Sequence, residues 1–121
     1  MFPGKPCLGD DGGMNAGLIA GLRAQLGGPR DGALLRYSLG NALLAQGDLT
    51  AAIEALREAI EFDSRYSAAW KALGRAQAQA GDAVAAIASF EQGIAVAQAR
   101  GDVQAAKEMN VFLNRLRKAA Q

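Results

Sequence analysis

Three landmarks of the chain return at one fixed spacing. Leu39-Gly40 reappears as Leu73-Gly74, Gly47-Asp48 as Gly81-Asp82, and Ala51-Ala52-Ile53 as Ala85-Ala86-Ile87, each displaced by 34 residues. A shared offset marks a copied structural unit, because accidental matches scatter over many offsets. Units of this length cannot bury an apolar face alone, so they stack on their neighbours. The pattern points to a scaffold that binds rather than to a catalyst.

The composition supports helices throughout. The chain has 121 residues, half of them hydrophobic, with three Pro and many Ala. Alanine is the strongest helix former, so the fold class is expected to be all-α. A formal charge of +1 argues against nucleic acid as a partner, since its binders carry a clear basic excess. No apolar run approaches the roughly 18 residues that would span a bilayer, so no membrane partner is expected. There is no His at all, which removes the usual general bases, triad partners and zinc ligands. Neither an enzyme nor a metal or other cofactor is expected. Glu54, Glu58 and Glu61, with Arg57 among them, read as a solvated helix face.

Residues 1–14 hold two Pro, four Gly and two Asp and are expected to be a disordered tail. They contain no apolar core of a signal peptide, and a cytoplasmic location is the default. Met14 directly precedes the first periodic segment, which suggests a start there. Cys7 lies in the tail and reads as an incidental thiol, with no second Cys to pair with.

Six helices follow from the apolar spacing and the turn residues. The first covers about 15–26, with Leu18, Ile19, Leu22 and Leu26 as its stripe, and Gly27-Gly28-Pro29 breaks it. Asp31 is expected to cap the second, about 32–46, whose stripe includes Leu35, Leu39, Ala42 and Leu43. Gly47-Asp48 ends that helix and caps the third, about 49–62, with Ala52, Ile53, Leu56, Ala59 and Ile60 inward. The fourth runs to about Ala80 with Trp70, Leu73, Ala76 and Gln77 inward. The fifth covers about 83–99 with Ala86, Ile87, Phe90 and Ile94 inward. The last ends near Lys118. It buries Ala105, Ala106, Met109, Phe112, Leu113 and Leu116, and Lys107, Glu108, Asn110, Asn114, Arg115 and Arg117 face away. Val111 lies off the inward stripe, either incidentally or as a dimer or partner contact.

These residues resemble the tetratricopeptide repeat, a 34-residue helix-turn-helix unit. With the first unit beginning at Ala33, Leu39-Gly40 falls at positions 7 and 8, Ala52 at 20, Leu56 at 24 and Ala59 at 27. The second unit begins at Ser67 and places Trp70 at 4, Leu73-Gly74 at 7 and 8, Ala86 at 20, Phe90 at 24 and Gly93 at 27. Arg36 departs at position 4, Leu43 and Gln77 at 11, and Ser64 and Gln98 at 32. The resemblance implies a right-handed array of antiparallel helix hairpins: a half-repeat at 15–28, repeats at 33–66 and 67–100, and a capping helix at 101–118, forming one domain over 15–121. It sets Leu18 and Leu22 at positions 20 and 24 of the half-repeat. It makes Trp70 a packing residue.

The resemblance also implies a protein-interaction module that holds a peptide or helix in a concave groove. The groove positions correspond to Leu34, Tyr37, Asn41 and Leu44 in the first unit, and to Ala68, Lys71, Arg75 and Ala78 in the second. Lys71 and Arg75 share a helix face and are expected to receive a carboxylate. The carboxylate clamp of chaperone-binding members is matched only at Asn41; Tyr37, Ala72, Asp102 and Ala106 stand at its other positions. A chaperone tail is therefore not the expected guest. Two alternatives are a self-associating structural repeat, leaving open monomer or weak homodimer, and a nucleic-acid-binding helical repeat, which the period and charge oppose.

Overall fold

The computed structural model describes residues 16–120. The expectations for the tail, for Met14 and for Cys7 lie outside the described residues. Helix α1 covers 16–24, followed by α2 (Ala33–Gln46), α3 (Leu49–Phe62), α4 (Ser67–Gln79), α5 (Ala83–Arg100) and α6 (Val103–Ala120). All regular structure among the described residues is helical.

Three turns are built alike. The amides of Asp48, Asp82 and Asp102 donate to the carbonyls of Leu43, Gln77 and Ala97, which closes the end of the preceding helix. The same aspartates accept from the amides of Ala51, Ala85 and Ala105, which caps the helix that follows. Gly47 and Gly101 take left-handed backbone at these ends, with φ of 89° and 75°. Each Gly-Asp pair thus stops one helix and starts the next, which forces the chain to double back within two residues.

The resulting hairpins pack α2 on α3 and α4 on α5, and contacts between α3 and α4 and between α5 and α6 join them. Ile19, Leu39, Ala42, Leu43, Ala52 and Ala55 form one core cluster. Leu56, Ala72, Leu73 and Ala76 form the next, and Ala86, Phe90, Ala97, Met109 and Leu113 the third. Leu44 packs against the first two and Trp70 against the last two, so the clusters are continuous. Trp70 is a packing residue, as expected, and its indole N–H donates to the Ser64 carbonyl at 2.9 Å. Close helix approach depends on missing side chains. A β-carbon on Gly74 would lie 2.7 Å from Phe90 Cε1, and one on Gly40 would lie 2.5 Å from Leu56 Cγ.

Several expectations are corrected. Asp31 does not cap α2, since Gly32 holds that position without a side-chain bond. Arg36 takes the Asp31 carboxylate instead, at 2.9 Å and 2.8 Å, and the Gly27 amide donates to the same carboxylate. A charge-assisted, two-pronged pair outweighs a single cap bond. Those bonds, Arg36 first and the Gly27 amide next, hold the Asp31 carboxyl well below the usual carboxylate range. Glu58 is not simply solvated: it accepts from Arg36 at 2.7 Å. Leu18 is not on the inward stripe of α1 and is 54% exposed, whereas Ile19 is buried. In the full units position 20 is covered by the preceding helix of the same unit, and no helix precedes α1 among the described residues. Gln77, at position 11, is buried and bonded to the Ser89 hydroxyl, so a polar pair fills the place of a large ring.

Candidate protein-binding face

Helices α2, α4 and α6 lie side by side, since α4 contacts both of the others across the hairpins. The residues expected at groove positions lie on α2 and α4 in different environments. Leu34 is 67% exposed at the start of α2. Tyr37 is half-buried and meets Tyr66 with ring centroids 4.9 Å apart, a contact the repeat spacing did not signal. Burial, and secondarily Tyr37, pushes the Tyr66 phenol above its ordinary value. Asn41 and Ala68 are half-buried. Leu44 is half-buried and packs against both neighbouring clusters.

The two cations have separate fates. Lys71 Nζ donates to Glu108 Oε1 at 2.7 Å, and Gln104 donates to the other oxygen at 3.1 Å. These bonds, Lys71 first, lower the Glu108 carboxyl below its ordinary value. Glu108 therefore does not face away from the array, contrary to the helical pattern of α6. The shared carboxylate site expected for Lys71 and Arg75 is half occupied from within. Arg75 remains exposed, its guanidinium carbon 5.7 Å from the centre of the Phe112 ring.

Helix α6 begins at Val103, two residues later than the 34-residue spacing from α2 to α4 would place it. Helix α5 has 18 residues where its counterpart α3 has 14. Lys71 and Glu108 stand 37 residues apart in the chain, off the 34-residue period, and Arg75 and Phe112 keep the same separation. Both contacts turn these faces of α6 toward α4.

A stack of helix hairpins joined by short Gly-Asp turns defines a helical-repeat scaffold. A family profile described as TPR repeat matches residues 40–81. A TPR repeat-containing protein of Pseudomonas aeruginosa is 47% identical over 102 residues, covering 84% of this chain and 97% of the relative. A protein from Bordetella parapertussis with a known solution structure is 42% identical with a TM-score of 0.74, over 84% of this chain and 88% of that one. The tetratricopeptide repeat domain protein of Salinibacter ruber is 25% identical with a TM-score of 0.66, over 73% and 88%. The chain belongs to the tetratricopeptide repeat family. TPR repeats are generally protein–protein interaction modules, and proteins of the family are generally non-enzymatic scaffolds. Among the described residues no helix is long and apolar enough to cross a membrane.

Proposed function

We propose that the chain docks an extended peptide or helix of a protein partner on the concave face built by α2, α4 and α6. Leu34, Tyr37, Asn41, Leu44, Lys71, Arg75 and Ala78 are its groove residues, with Lys71 acting through its bridge to Glu108 and Arg75 supplying the open charge. The observation that carries this reading is the state of the second unit's cations. Lys71 ties α4 to α6 and fixes the wall, while Arg75 stays exposed one turn further along. An exposed guanidinium beside a bridged pair of helices suits a peptide ligand that carries acidic groups. Helix α1 serves as the second helix of a worn unit and α6 as the cap.

Affinity capture with the intact chain, followed by isothermal titration of the captured partner, tests the reading. Substituting Asn41→Ala together with Arg75→Glu should abolish binding, and substituting Glu54→Ala with Arg57→Ala should leave it intact. The reverse pattern would remove the groove from consideration.

A second reading, self-association, draws on the outer side of α6, where Val103 and Val111 are 62% and 49% exposed. Light scattering over a concentration series decides it. Growth of a dimer that Val111→Lys suppresses supports it, and a constant monomer mass removes it.

A further inference from the structure

At the far end of the α4–α6 wall, Arg75, Ala78, Phe90, Phe112, Arg115 and Leu116 line a cleft of about 270 Å³. Its walls are chiefly hydrocarbon and aromatic, and its two basic groups come from different helices. Phe90 is buried and forms the base, stacked on Phe112 with ring centroids 5.5 Å apart. Phe112 is half-buried, so part of its ring remains open to the cleft. A space below the roughly 300 Å³ of small-molecule pockets suits one side chain of a larger ligand.

The charges select the surroundings of that side chain. Arg36, Lys71 and Arg117 each hold a carboxylate of this chain. Among the described residues no carboxylate pairs with Arg75 or Arg115, and both are exposed. The Arg75 guanidinium is held against Phe112, so it stands beside the apolar cleft and keeps its outward N–H groups available. Guanidinium forks favour carboxylates in two-pronged geometry.

We propose that this cleft is the anchor subsite of the groove, receiving one aliphatic or aromatic side chain of a partner peptide whose flanking residues are Asp or Glu. The proposal rests on the groove reading above and specifies its ligand. The apolar side chain supplies burial against Phe112 and Leu116. The acidic neighbours supply the orientation, by pairing with Arg75 and Arg115.

The test is an ¹H–¹⁵N titration at low salt with a blocked peptide of sequence Gly-Glu-Leu-Glu-Gly. The expected result is saturable shifts centred on the amides of Ala78, Phe112 and Leu116. Replacing the central Leu by Gly should remove them. Arg75→Ala or Arg115→Ala should each weaken binding up to about fivefold, the range of an exposed ion pair. Lys107→Ala with Lys118→Ala, which removes two charges elsewhere on α6, should leave affinity unchanged. Equal shifts with Gln in place of both Glu, or equal weakening by the Lys107 and Lys118 control, would overturn the proposal. Shifts confined to Tyr37 and Asn41 would overturn the anchor while leaving the groove in place. A captured partner that binds the Arg115→Ala variant with native affinity would do the same.

Discussion

Lys71 and Glu108, 37 residues apart, meet at 2.7 Å and bridge α4 to α6. The Glu108 carboxyl is lowered in the fold, chiefly by Lys71, from an ordinary value of 4.5. The folded chain therefore holds this proton less tightly than the unfolded chain. The stabilisation is complete above the ordinary value and is lost as pH falls below it. Thermal midpoints followed by circular dichroism from neutral to acid pH should fall less steeply for Glu108→Gln than for the native chain. Identical slopes would show that the bridge contributes nothing to the acid response.

Ile19 and Leu18 separate the observed register of α1 from the one that the repeat spacing suggests. Ile19 is buried at 5% exposure and Leu18 is 54% exposed. Ile19→Ala should destabilise by about 2–5 kcal/mol, as a buried aliphatic truncation does. Leu18→Ala should stay within about 0.5 kcal/mol. Urea denaturation gives both values, and the opposite ranking would restore Leu18 to the core.

Gly74→Ala places a methyl group 2.7 Å from the Phe90 ring. Overpacking of this kind costs about 1–3 kcal/mol, against a gain of about 1 kcal/mol in helix propensity. Denaturant unfolding should show a net loss, because Phe90 is buried and its ring is stacked on Phe112. A more stable variant would mean that α4 and α5 can separate freely.

Arg36 joins two carboxylates of unequal exposure, Asp31 at 12% and Glu58 at 42%. Asp31 also receives the Gly27 amide, so Asp31→Asn should lower the thermal midpoint more than Glu58→Gln. The Asp31 carboxyl is depressed, so its contribution too should fade only in acid, as pH drops below its ordinary value of 3.8. Equal midpoints for the two variants would place the stabilising contact elsewhere.

The hairpins are legible in the sequence because their determinants are local. Gly47-Asp48, Gly81-Asp82 and Gly101-Asp102 each specify a stop and a start within two residues, and Gly74 opposite Phe90 encodes a packing contact by size. The groove was only partly readable, because its electrostatics depend on register between helices that are distant in the chain. Glu108 meets Lys71 across two helices 37 residues apart, and no property of Glu108 alone reveals that. Asp31 was misread for a similar reason: a cap residue and an arginine partner look alike until Arg36 occupies the position where Trp70 stands in the next unit.

Hydrogen–deuterium exchange of the chain alone and with its captured partner tests the central claim most directly. Protection on binding should gather on α2, α4 and α6, including the segments that carry Asn41, Arg75 and Phe112. Protection confined to α3 and α5 would place the partner on the opposite side of the array and contradict the groove.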